Sequence, residues 1–295
     1  MRFNPNDIGV NNGNIFGFPY AEKEAEVILI PVPWDATASY GKGSSAGPKA
    51  MLEASTQIDF FHPEVINAWN TKIFMTPISE DWKKINDKLA ERTAKYIHFL
   101  ENGGELKVNK EHQETIDEVT VAQNYLRDNL KARSVEAIKN AQIVGIIGGE
   151  HSCSLGLIDA LVENNEAFGI LQLDAHADLR KAYEGFEQSH ASIMYNALQH
   201  KSVTSLVQVG VRDISQDEVD FIKSDSRIIT FYDWDLKHKQ FEGAFWADQC
   251  RFIVDALPQK VYVSFDIDCL KPHLCPNTGT PVPDTVNVRD RKFTV

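Results

Sequence analysis

Basic residues are in short supply in this chain: 30 Lys and Arg stand against 42 Asp and Glu, a formal net charge of −12 over 295 residues. That balance argues against a nucleic-acid partner or an anionic membrane surface, and favours a basic or neutral small substrate. Cysteine is equally sparse. Cys153, Cys250, Cys269 and Cys275 lack the spacing of a secreted disulfide scaffold, which points to a reduced, cytoplasmic protein. Long apolar runs are missing too, since none reaches the roughly 18 residues a membrane span requires. The opening stretch, Met1 to Tyr20, is polar and rich in Asn and Gly, without the pattern of a secretory signal. No internal repeat or low-complexity tract is present.

What the chain does have is 43% hydrophobic residues, enough to bury a large core. Short, nearly continuous apolar runs predict strands over 27–33, 143–148, 168–174, 203–211, 227–232 and 260–266. Continuous rather than alternating patterning is expected of strands covered on both faces. Helical patterns fall between them at 152–163, 190–200, 216–223 and 244–256. Alternation of this kind makes βαβ units, hence an α/β fold with a mainly parallel sheet, taken as a single domain over 1–295. Two charged helical segments, 80–100 and 111–141, flank the turn-like Glu101-Asn102-Gly103-Gly104. They read as an inserted or extended pair around 80–141 with a solvated face.

Three fragments carry the chemistry: Gly148-Gly149-Glu150-His151-Ser152, Asp174-Ala175-His176-Ala177-Asp178 and Ser264-Phe265-Asp266-Ile267-Asp268. Each lies at or just past the carboxyl end of a predicted strand, where open parallel sheets bind their ligands. In full extension Asp174, His176 and Asp178 would span about 13 Å, too far for one ion, so this segment must curl as it leaves the sheet. Two carboxylates and an imidazole in one crowded place repel and desolvate one another at high cost unless a cation joins them. Carboxylate and imidazole are the ligands of manganese, iron or zinc. Four aspartates and two histidines are too many for one catalytic ion and suit two with shared carboxylates. Cys269, His273 and Cys275 supply only three ligands beside this stronger set, and are read as loop packing.

These paired motifs resemble the ureohydrolase family, arginase, agmatinase and their relatives, over about 27–283. Ser39-Tyr40-Gly41-Lys42-Gly43 with Gly47-Pro48, Ser189-His190-Ala191 and Gly279-Thr280-Pro281 extend the resemblance. It implies a three-layer α/β/α, arginase-like fold, two manganese ions, a small guanidino substrate and a homo-oligomer, commonly a trimer or hexamer. Carried over by residue, it implies His151 and Asp178 as ligands of the first manganese, His176 and Asp268 of the second, and Asp174 and Asp266 as bridges. Asp178 would also accept a proton, and His190 would shuttle protons to solvent, for which an unperturbed imidazole pKa of about 6.5 is suited. A guanidinium carbon is a poor electrophile, so its hydrolysis calls for hydroxide at neutral pH, which paired ions supply. The continuation Leu179-Arg180 to Tyr183-Glu184-Gly185 resembles the agmatinase type more than the arginase type, so cleavage of agmatine to putrescine and urea is expected. Arginase or another guanidino-acid hydrolase is the alternative.

Members of the family continue past Gly-Thr-Pro-x-Pro with Gly-Gly, then a helix, a strand and an acid that grips the guanidinium. Here Asp284-Thr285 stands in place of the glycines and the chain runs only to Val295. The C-terminal part therefore reads as missing or divergent after about 283, and no residue is assigned as that acid. The expectations are an exposed sheet edge, a metal centre that still forms, and weak or absent turnover; a truncated, catalytically weak or inactive protein of this fold is the alternative from a different class.

Overall fold

In the computed structural model the described residues are 3–106, 109–164 and 167–283. The tail from Asp284 lies outside them. They form two compact units, the first drawn from within 1–38, 42–164 and 184–186, the second from within 39–41, 165–183 and 187–295.

The first unit holds strand β1 (Val27–Val32), helix α1 (Gly47–Ser55), strand β2 (Ile73–Met75), helices α2 (Glu80–Glu101) and α3 (Lys110–Lys139), strand β3 (Ile143–Gly148) and helix α4 (Leu155–Asn164). Its sheet has the order β2-β1-β3, and both pairings are parallel. Pro48 lies in the first turn of α1, where a missing N–H costs nothing. Ser79 and Asn109 accept the N–H groups of Trp82 and His112, capping α2 and α3.

The helical pair forms as read, but a solvated face describes only half of it. Trp82, Leu89, Tyr96 and Ile97 of α2, with Ile116, Val119, Leu126 and Leu130 of α3, are buried in one cluster with Ile28, Ile30 and Val32 of β1. The outer faces carry exposed ion pairs such as Lys83–Asp87 and Lys95–Glu91. Those charges mask the apolar stripe in any composition-based reading of 80–141, although the stripe is what fixes the pair against the sheet.

A short segment at the end of this unit contributes Phe186, packed edge-on to Tyr96 with centroids 5.8 Å apart. Beside it Glu184 buries a carboxylate whose Oε2 has no hydrogen-bond partner among the described residues. Burial, helped by the charge of Glu101 and opposed by Lys42, raises its pKa to about 7. A carboxyl that holds its proton more tightly when folded adds stability below its unfolded pKa of about 4.5, and that contribution is lost as pH rises through 7. Glu184→Gln is therefore expected to leave stability unchanged at pH 4.5 and to raise it by about 1–2 kcal/mol at pH 8, allowing for solvent screening. Denaturant unfolding at the two pH values checks this; a difference that does not change with pH would rule it out.

The second unit holds strand β4 (Phe168–Leu173), helix α5 (Ile193–Leu198), strand β5 (Val203–Val209), helix α6 (Gln216–Ser224), strand β6 (Ile228–Phe231), helices α7 (Asp233–Phe241) and α8 (Trp246–Asp255), and strand β7 (Val261–Phe265). Its sheet runs β6-β5-β4-β7 and is parallel throughout. Val207 and Val209 of β5 pack with Leu236 of α7 and Ile253 of α8. Parallel sheets with flanking helices make this an α/β protein, as the alternating pattern predicts. Strand β7 is terminal in that order, and its alternate residues Val261, Val263 and Phe265 are exposed. Alternate residues share one face, so the sheet carries an exposed apolar patch there. Among the described residues no helix is long and apolar enough to cross a membrane.

Strand β2 and helices α1 and α7 escape the sequence reading. β2 is only three residues long, and α7, Asp-Trp-Asp-Leu-Lys-His-Lys-Gln-Phe, buries only Asp233 and Leu236, too few to show a period.

Candidate metal centre

All three motif fragments leave the carboxyl end of a strand. In the first unit, β3 ends at Gly148 and His151 opens a buried turn that leads into α4. A Cβ at Gly149 would sit 1.8 Å from the Trp34 carbonyl oxygen, so only glycine lets the chain pass there. The Glu150 N–H then donates to that same carbonyl at 2.8 Å. Glu150 Oε1 accepts the hydroxyls of Thr37 at 2.6 Å and Ser152 at 2.8 Å. Burial raises this carboxyl to about 7 despite those donors.

The second unit assembles the remaining residues. Asp174 directly follows β4, and Asp178 adopts a left-handed φ of 55°, which supplies the expected curl. Asp174, His176 and Asp268 each turn one ligand atom into a group in which all lie within 4.8 Å of one another. A carboxylate oxygen of Asp178 lies within the same distance of one from Asp174. His176 Nδ1 is 3.0 Å from Asp268 Oδ2 and 3.6 Å from Asp174 Oδ1. Its other nitrogen, Nε2, faces Asp213 Oδ2 at 3.9 Å.

Among the described residues, that 4.8 Å group does not include Asp266. One of its oxygens accepts the Asp268 N–H at 3.0 Å, capping the short turn that presents Asp268. Asp268 in turn accepts the Ala175 N–H at 3.1 Å and the Thr280 hydroxyl at 3.2 Å. Gly41 N donates to Gly279 O at 2.9 Å, so two of the outlying signature fragments meet in this unit.

The electrostatics describe a site short of positive charge. Burial alone would push the His176 imidazole down, but hydrogen bonds to Asp174 and Asp268, with the charges of Asp268 and Asp178, raise its pKa to about 11. Asp268 is raised by burial first and then by Asp174. These carboxylates thus favour positive charge between them. A divalent ion supplies it and takes the same Nδ1 and carboxylate oxygens, so the donor set fits a hard or borderline metal.

A cavity of about 120 Å³ opens beside this group, with His176, Asp178, His190, Arg180 and Asp213 in its wall. Ser189 caps the turn that begins with His190, and His190 Nε2 lies 3.4 Å from Ser39 Oγ. Arg180 stacks 4.8 Å over Tyr183 and lies 3.8 Å from Glu218, so its charge is already engaged. Cys269, His273 and Cys275 form no ligand group among the described residues. Burial, and then nearby Asp174, Asp268 and Asp266, push the Cys269 thiol up to about 12, where it is inert.

Sequence reasoning missed Arg212. Its guanidinium donates to the carbonyls of Gly210, Asp268, Cys269, Leu270 and Val282 at 2.8–3.3 Å. It thereby ties the end of β5 to the loop that carries Asp268. The signal was available, since Val209-Gly210-Val211-Arg212-Asp213 also leaves a strand at its carboxyl end.

A model of the Arginase family matches residues 25–292. The N(1)-aminopropylagmatine ureohydrolase of Synechocystis sp. is 26% identical over 261 residues, which are 88% of this chain and 72% of that protein. The agmatinase of Pyrococcus horikoshii is also 26% identical, over 88% of this chain and 74% of its own. Among solved structures, the agmatine ureohydrolase of Thermoplasma volcanium superposes with a TM-score of 0.67 at 21% identity, covering 93% of this chain and 78% of that one.

Proposed function

The chain belongs to the arginase family, and we propose that it is a binuclear manganese hydrolase that cleaves agmatine to putrescine and urea. Its relatives are hydrolases of guanidino groups, and the coarser activity follows from that membership. The observation that carries the finer reading is the gathering of Asp174, His176 and Asp268 beside a small cavity.

His151, Asp174, His176, Asp178, Asp266 and Asp268 would hold the two ions. When bound, such a pair supplies hydroxide at neutral pH and neutralises the clustered carboxylates. Asp178, in the cavity wall, would accept the proton lost as water adds to the guanidino carbon and return it to the departing amine nitrogen. His190, in the same wall and beside Ser39, would exchange protons with solvent. Apart from the proposed ligands His176 and Asp178, the cavity is lined by the carboxylates of Asp213 and Glu218 against one guanidinium that Glu218 already partners. That excess favours a substrate with a cationic tail over one with a carboxylate.

Urea release from agmatine, N(1)-aminopropylagmatine, arginine and guanidinobutyrate, each with manganese, tests the assignment. Agmatine is expected to turn over at least about tenfold better than either acid, a difference of roughly 1.4 kcal/mol in transition-state binding. Preference for arginine or guanidinobutyrate would overturn the substrate. Bound metal with no urea from any of the four would overturn the hydrolase and leave an inactive protein of this fold.

A further inference from the structure

Near its carboxyl end each strand of the second sheet carries one polar residue among apolar neighbours. The parallel register aligns Ser264 of β7 with Gln172 of β4, Gln172 with Gln208 of β5, and Gln208 with Thr230 of β6. Residues paired in this way share a face, so a row of polar side chains crosses the sheet just below its carboxyl edge. Gln172 and Gln208 are completely buried. An unsatisfied amide in such a place costs about 1–3 kcal/mol, and an aliphatic residue would pack there without that risk.

These amides are fully satisfied, and their donors all run one way. The Thr230 hydroxyl donates to Gln208 Oε1 at 2.8 Å. Gln208 Nε2 donates to Gln172 Oε1 at 2.6 Å and to the Ala177 carbonyl at 2.8 Å. Gln172 Nε2 donates to Asp174 Oδ2 at 2.8 Å and to the His176 carbonyl at 3.3 Å. Flipping either amide would set oxygen against oxygen, so the direction is fixed and each bond polarises the next toward the carboxylate. The His176 N–H meets the other oxygen, Asp174 Oδ1, at 2.8 Å. Held at both oxygens, the carboxylate plane has no freedom to rotate. The carbonyls of His176 and Ala177 are gripped as well, which fixes the backbone between the three aspartate and histidine side chains.

We propose that Thr230, Gln208 and Gln172 form a buried positioning relay that orients Asp174 and its loop for metal binding, with Thr230 as its remote end. The proposal rests on the reading of Asp174 as a metal ligand. Outer partners of metal ligands are typically worth 10–100-fold in affinity. Effects along a relay are also non-additive, whereas independent packing defects add.

The test titrates manganese into metal-free wild-type protein, Thr230→Val, Thr230→Ser, Gln172→Leu and the Gln172→Leu/Thr230→Val double variant by calorimetry, with the melting temperature of each metal-free protein in parallel. Thr230→Val, nearly isosteric and two strands from Asp174, is expected to weaken binding about 3–10-fold, and Thr230→Ser to restore it. Gln172→Leu is expected to weaken it 10–100-fold, with no further loss in the double variant. Wild-type affinity in Thr230→Val would overturn the relay even if Gln172→Leu fails to fold. Wild-type protein that binds no manganese would instead overturn the metal reading beneath it.

Discussion

Asp174→Asn is expected to lower kcat for urea release by roughly three orders of magnitude or more and to reduce the bound metal below two ions per chain. Asp174 is shared by the two candidate ligand sets, since its carboxylate lies within 4.8 Å of ligand atoms from Asp178 and from both His176 and Asp268. Asparagine keeps the size and one acceptor but removes the negative charge, which is most of what a carboxylate offers a divalent ion. The fold is expected to survive, because His176 keeps its nearer partner, Asp268, at 3.0 Å. Atomic absorption on the purified variant, beside its kinetics and its unfolding curve, separates loss of metal from loss of structure. Two ions per chain with wild-type turnover would remove Asp174 from the centre.

Arg212→Ala should produce the largest change in stability, a loss of about 3–4 kcal/mol in the metal-free protein. Five carbonyl oxygens from three chain segments converge on this guanidinium. Alanine leaves them to water or to nothing, and bonds from a charged donor are worth more than neutral ones. Arg212→Lys should recover less than half of the loss, because an ammonium has three donors and no planar fork. Both variants should also bind manganese more weakly, since the loop they release presents Asp268. Denaturant unfolding and a manganese titration read the two effects; stability within about 0.5 kcal/mol of wild type in Arg212→Ala would show the clamp to be unimportant.

Much of this centre could be read from the chain alone, because the chemistry is crowded into local fragments. Asp174-Ala175-His176-Ala177-Asp178 forces carboxylates and an imidazole together by covalent connection, and flanking apolar runs mark the strand end that presents them. His190 opening a capped turn was equally local, since Ser189 announces it. Residues that act across strands were hidden. Arg212 recruits carbonyls up to 70 residues away, and carbonyls have no signature in a sequence. Gln172, Gln208 and Thr230 read as isolated polar interruptions until the register aligns them. Asp266 has a local role that spacing does not show: one of its oxygens caps the turn that displays Asp268.

By itself the sequence determined the alternation of strand and helix, the parallel sheets that follow, the scarcity of basic charge, and the three strand-end motifs. Those properties depend on neighbours a few residues apart, where periodicity and covalent geometry leave little choice. Tertiary structure decided that the charged helices α2 and α3 bury a core face, that His176 Nδ1 rather than Nε2 turns to Asp174 and Asp268, and that a row of amides leads to that pair. Each of these depends on register and packing between distant segments, and buried polar groups accept only the arrangement that satisfies all of them at once.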